Sequence, residues 1–139
     1  MALNTQFSIA VHVMAGLACR CGKDTTSAQL AMSVNTSPSF VRRVLAKLSK
    51  AGLVQTTTGQ TGACRIARKP ESISLWEVYQ AVDAPKAFAI HHYAAQTTCD
   101  ISCNIKGVLE KVLQTTQKSM EASLKKISLA EVLCELAKK

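Results

Sequence analysis

The chain has 139 residues, of which 47% are hydrophobic and 19% charged, with a net charge of +8. This is the length of one domain with an appendage and the composition of a folded core, which excludes a disordered chain. No apolar run approaches the length that crosses a bilayer, and Asn4, Gln6 and His12 interrupt the N-terminal stretch, so the reading is a cytoplasmic chain without a signal peptide. In that compartment its six cysteines point to free thiols, metal ligands or redox sensing rather than to disulfides.

Phe7, Ala10, Val11, Met14, Leu17 and Ala18 recur at helical spacing and predict a first helix over residues 4–19. Gly22-Lys23-Asp24 breaks it. Thr26 and Gln29 then have the spacing of a capping box, opening a short second helix to about Met32. Val34-Asn35-Thr36 reads as a turn. Ser37-Pro38 is a start signal, a capping hydroxyl followed by a residue that has no amide hydrogen to satisfy. The third helix runs to about Ala51, with Gly52 as its stop. Val41, Val44, Leu45 and Leu48 form its buried stripe. Opposite them lie Ser39, Arg43, Ala46 and Lys50, flanked by Arg42 and Lys47. Leu53–Thr57 and Cys64–Ala67 are β-prone runs around Gly59 and Gly62, which predicts a hairpin. Ser72 is expected to open a short helix over Leu75–Val82. Residues 84–101, with Pro85, His91 and His92, read as a linker loop. From about Ser102 a long amphipathic helix begins, with Ser128 a candidate break before Leu129–Leu136. The fold class is therefore mainly α with a small β-hairpin. Its partition is residues 1–83, 84–101 and 102–139.

Charge is placed unevenly. Residues 25–70 hold seven bases and no acid, whereas 71–139 hold eight of each. Two short helices, the second cationic on its exposed face, followed by a basic hairpin, make a winged helix-turn-helix. An acid on such a face would be repelled by the phosphates beside a groove. The candidate DNA contacts are Thr26, Ser37, Ser39, Arg42, Arg43, Lys47, Lys50, Thr58, Gln60, Arg65 and Arg68, with Ser39 and Arg43 placed for base edges. The apolar stripe of the long helix, Ile105, Val108, Val112, Met120, Leu124 and Ile127, needs a partner, and the simplest is a second copy. The predicted partners are a homodimer and a palindromic operator in double-stranded DNA. No nucleophile–base set, phosphate loop or carboxylate pair suggests an enzyme. The competing reading is a thiol or metal protein whose basic face engages a protein or RNA.

The runs "NTQFSIAVHVMAGLA", "TTSAQLAMSVNTSPSFVRRVLAKLSKAGLV" and "ISLWEVYQAV", with the cysteine-bearing start of the long helix, resemble the Rrf-two family of bacterial winged-helix regulators. That family includes an iron–sulfur cluster biogenesis regulator, a nitric-oxide-sensitive repressor and a cysteine-metabolism repressor. The resemblance spans essentially the whole chain and implies a dimeric transcription factor, usually a repressor. It is greatest to the branch without an assigned cluster. Cluster-binding members carry three cysteines at the start of the long helix. Here Cys99 and Cys103 stand there alone, which disfavours an iron–sulfur cluster and leaves inert thiols, redox-active thiols or a metal site as the readings of that pair. Those members also carry an arginine before the wing turn. Thr58 takes its place, so minor-groove reading is weaker or falls to Arg65.

Overall fold

The computed structural model describes residues 4–20, 23–57 and 63–139. Helix α1 (Gln6–Cys19) buries Ala10, Val13, Met14, Leu17 and Ala18, so it runs through the core rather than over it. A two-residue strand, β1 (Thr25–Thr26), leads into α2 (Ser27–Val34). Thr26 caps α2 by the expected capping box: its Oγ1 accepts from the Gln29 amide at 3.2 Å, and Gln29 Oε1 accepts from the Thr26 amide at 3.0 Å. Asn35 ends the helix in the left-handed conformation, with φ of 68°. His12 reaches from α1 to the Ser33 hydroxyl at 2.9 Å, tying α1 to α2.

Helix α3 (Pro38–Lys50) starts where Ser37 and Pro38 place it, the Ser37 hydroxyl accepting from the Phe40 amide at 3.3 Å. Val41, Val44, Leu45 and Leu48 are its buried residues, as the periodicity predicts. Gly52 follows with φ of +80°, a conformation that favours glycine and turns the chain into the sheet. Strands β2 (Val54–Thr56) and β3 (Ala63–Ile66) pair antiparallel, and β1 adds to the other edge of β3, giving the order β1-β3-β2. The register sets Cys64 opposite both Thr25 and Thr56. The third strand is a departure from the predicted two-stranded hairpin. Two residues are too few to carry an alternation, and Thr25–Thr26 becomes a strand only because β3 lies beside it.

A 3-10 turn over Pro70–Ser72 precedes α4 (Leu75–Ala81). The cap of α4 is Ser74 and not Ser72. Ser74 Oγ accepts from the Glu77 amide at 3.2 Å and Glu77 Oε2 accepts from the Ser74 amide at 3.0 Å, a reciprocal pair that Ser72 has no Glu or Gln to make. Residues 84–98 contain no helix or strand. Helix α5 (Asp100–Lys126) starts two residues earlier than predicted and buries none of its residues. Ile127 and Ser128 break the helical run. The Ile127 carbonyl accepts from the Leu75 amide at 2.9 Å, the Leu129 amide donates to Ile73 at 2.8 Å, and Ser128 caps α6 (Leu129–Ala137).

The contacts divide the chain into two compact units, one of residues up to Ala84 with Leu124–Lys139, the other Pro85–Ser123. The sequence pattern predicts residues 102–139 as one region. In the structure α6 joins the first unit, because Leu129 is fully buried and Leu133 packs against that core. Among the described residues no helix is long and apolar enough to cross a membrane.

Candidate nucleic-acid interface

The exposed face of α3 carries Ser39, Arg42, Arg43, Ala46 and Lys50, and its buried stripe fixes that face outward. Arg43 extends over the ring of Phe40, its guanidinium 5.4 Å from the ring centroid, a cation–π contact that limits the rotamers of a long side chain. Lys47 is half-buried and donates to Gln6 Oε1 at 3.1 Å, which anchors it toward α1. A shallow concavity between α3 and the sheet is lined by Arg42, Ala46, Ser49, Lys50, Thr56 and Thr57. Ser49, Thr56 and Thr57 were not among the residues expected from sequence. Ser49 lies on α3 itself, seven residues after Arg42 and so on the same side of the helix, whereas only the packing of β2 and the residue after it against α3 places the two threonines there.

The wing cations behave differently. Arg65 donates from Nε at 3.0 Å and from Nη2 at 2.7 Å to one carboxylate oxygen of Asp24. Arg68 donates to Glu77 Oε1 at 2.9 Å and to the Ser72 carbonyl. Asp24, just before the acid-free stretch, and Glu77, the second acid after it, fold back onto it. Among the described residues no carboxylate pairs with Arg42, Arg43, Lys47 or Lys50. Of the seven bases in that stretch, the four on α3 and Lys69 have no carboxylate partner among the described residues, so most of the uncompensated charge lies on α3. Thr26 and Ser37 use their side-chain oxygens as helix caps, and each keeps its hydroxyl proton to donate. Thr58 and Gln60 lie outside the described residues.

Glu77 feels burial, which raises its carboxyl. The Arg68 hydrogen bond, the Ser74 amide and the Arg68 charge outweigh it, and the carboxyl titrates below the usual range. Cys64 is buried beneath the wing, its Sγ donating to the Thr25 carbonyl at 3.1 Å. Burial first, and the Asp24 charge second, push its thiol from 9.0 up to about 11, so it serves as packing. Cys99 and Cys103 are exposed in the second unit, at the start of α5. Among the described residues no three His, Cys, Asp or Glu side chains group as metal ligands, and two thiols are half of the four thiolates that an iron–sulfur cluster commonly takes.

The model of the Rrf2 family, described as iron-dependent transcriptional regulator, matches residues 3–135. The chain belongs to the Rrf2 family. YwnA of Bacillus subtilis strain 168, named for an HTH-type transcriptional regulator, is similar to this Rrf2 protein at 31% identity over 134 residues, 96% of this chain and 98% of YwnA. The structure of IscR from T. potens superposes with a TM-score of 0.68 at 25% identity, covering 98% of this chain and 88% of that one. A regulator structure from Lactobacillus plantarum reaches a TM-score of 0.81 at 22% identity, covering 97% and 91% of the two chains, a likeness of fold alone. This Rrf2 protein is a winged helix-turn-helix, DNA-binding transcriptional regulator and not an enzyme. The competing reading, a thiol or metal protein whose basic face serves another partner, gives way to that membership.

Proposed function

We propose that this Rrf2 protein is a cytoplasmic homodimeric repressor that binds a palindromic operator without an iron–sulfur cluster. The observation that carries the dimer is α5, a 27-residue helix with no buried residue. Val108 and Val112 remain 56% and 52% exposed, and Ile105, Met120 and Leu124 are only partly covered. Such a stripe is covered most simply by its own copy, and two copies supply the two heads that a palindrome matches. Ile127 belongs less clearly to that stripe, since its backbone already joins α4.

On DNA, α3 enters the major groove. Ser39 and Arg43 meet base edges, and Arg42, Lys47 and Lys50 meet phosphates. Arg65 and Arg68 contribute less, because each already faces a carboxylate. The exposed thiols Cys99 and Cys103 are the candidate input for a redox or electrophile signal.

The test is a fluorescence-anisotropy titration of duplexes selected from a random pool, run at several salt concentrations beside light scattering. The expected result is a dimer, a palindromic consensus and a specific affinity at least about a thousandfold above that for scrambled duplex. Binding that shows the same affinity for every duplex, or a monomer at the binding concentration, would refute the reading.

A further inference from the structure

The start of α5 carries two exposed thiols whose hydrogen bonds run in opposite senses. Cys99 stands immediately before Asp100, the first helical residue. Its Sγ accepts from the Ser102 amide at 3.5 Å, the place that a serine or aspartate oxygen takes at a helix start. Cys103 lies one turn further on, and its amide donates to the Cys99 carbonyl at 3.0 Å. Its Sγ donates backward to the carbonyls of Gln96 at 3.4 Å and Thr97 at 3.8 Å. The Gln96 amide in turn donates to Ser102 Oγ at 2.7 Å. Both sulfurs therefore take part in joining the turn over residues 96–99 to the first turn of α5.

We infer that Cys99 and Cys103 form a dithiol that hydroperoxides oxidise to a disulfide, with Cys99 the attacking sulfur and Cys103 the resolving one. The regulatory half of this inference rests on the reading of the protein as an operator-binding repressor. A disulfide between two residues of a regular helical turn is strained. Here only Cys103 is inside the helix. Cys99 precedes it, so its side chain can leave the cap and swing toward Cys103, giving up its bond to the Ser102 amide in the first turn of α5. Cys103, held in the helical ladder, is the fixed partner.

The chemistry has two steps. The Cys99 sulfur attacks the O–O bond of the hydroperoxide. An S–O bond forms, the O–O bond breaks, and the thiol proton passes to the leaving oxygen, giving a sulfenic acid and an alcohol (water, for hydrogen peroxide). The Cys103 sulfur then attacks the sulfenic sulfur. An S–S bond forms, the S–O bond breaks, and water leaves with the Cys103 proton. Two thiols lose two electrons in all, and one peroxide gains them. The product has lost the sulfur cap at Cys99 and the S–H donor at Cys103. Three of the hydrogen bonds that join the 96–99 turn to α5 go with them. Local oxidation thus becomes fraying of the first turn of α5 and release of the segment that leads to it.

The experiment uses the full chain. Cleavage after Lys86 and Lys106 yields one peptide, residues 87–106, that holds both cysteines and no other. Reduced protein is treated with cumene hydroperoxide, alkylated and digested. Wild type should give this peptide short of two hydrogens and closed to alkylation. Cys103→Ser should give a sulfenic acid on Cys99, trapped by dimedone. Cys99→Ser should react about tenfold more slowly or less. Serine is a favoured capping residue, so that variant keeps a folded helix start. Equal reaction of the two variants, or bridges to other peptides instead, would overturn the assignment of roles. Operator affinity forms a separate arm. Oxidised wild type should bind about tenfold more weakly, and the Cys99→Ser/Cys103→Ser double variant should be unaffected. Unchanged affinity with the disulfide formed overturns the regulatory link. Failure of the reduced protein to bind any operator sinks the repressor reading, while the peptide result still decides the chemistry.

Discussion

Helices α3 and α5 are both amphipathic, and they meet opposite fates. α3 buries Val41, Val44, Leu45 and Leu48 in its own domain. α5 buries nothing, although Ile101, Ile105, Val108 and Val112 lie along one face. Each full burial of a branched aliphatic chain stabilises by about 1.5–3 kcal/mol, so α3 is held by the chain that contains it. α5 gains that term only from another surface. A hydrophobic period says that a face will be covered and does not say by what.

Charge makes the same comparison within the DNA-binding unit. The cations of α3 have no carboxylate partner among the described residues, whereas Arg65 and Arg68 are matched to Asp24 and Glu77. Equal residue types in one acid-free stretch thus have unequal work to do.

The largest expected effect breaks the helix comparison. Val112→Glu with Met120→Glu should convert the dimer to a monomer and weaken operator binding about a hundredfold, because the second head no longer binds intramolecularly. Light scattering that still finds a dimer places the interface elsewhere. Leu48→Ala should destabilise by about 2–5 kcal/mol in a denaturant titration, as expected for a cavity in a packed core. In the monomeric double variant, Val108→Ala should shift stability by less than about 0.5 kcal/mol. A larger loss would mean that α5 is covered within its own chain.

The charge comparison predicts smaller effects. Arg43→Ala should weaken operator binding by about 1–3 kcal/mol and relax base choice, whereas Lys50→Ala should weaken all duplexes alike and flatten the salt slope by about one. Asp24→Asn frees Arg65, and if the wing meets DNA the slope steepens by about one. An unchanged slope would place Arg65 away from the phosphates. The smallest effect is the pH dependence of Glu77. Its carboxyl is depressed in the fold, so its contribution is complete above the usual carboxylate range and fades as pH falls through the depressed value. The pair with Arg68 is solvent-exposed, so the loss should be below about 1 kcal/mol, and Glu77→Gln should flatten the acid limb of the stability curve.

Much of this was legible because it is local. Ser37-Pro38 and the Thr26–Gln29 box set the starts of α3 and α2 through bonds between residues three apart. Sequence reading placed the cap of α4 at Ser72, yet the same box rule, applied to Ser74 and Glu77, would have found it. The candidate face of α3 was legible too, since four apolar positions fix the opposite side of a helix. Which of its residues touch DNA is a matter for the binding measurements above. Thr56 and Thr57 were not legible, because β2 and the residue after it bring them to α3 from a separate element, whereas Ser49 lies on α3 beside Arg42 and was within reach of the same periodicity.

By itself the sequence determined the helix boundaries to within a few residues, the family, and the presence of two apolar stripes, because capping and periodicity act over one or two turns. Only the tertiary structure decided which stripe is buried, that α6 returns to the first unit through Leu129, and that Asp24 and Glu77 neutralise the wing arginines. Those outcomes depend on residues from 9 to 56 positions apart, such as Arg68 and Glu77 or Ile73 and Leu129. The larger separations lie beyond any repeat that a linear pattern can carry, and only chain folding brings such groups within a few ångströms.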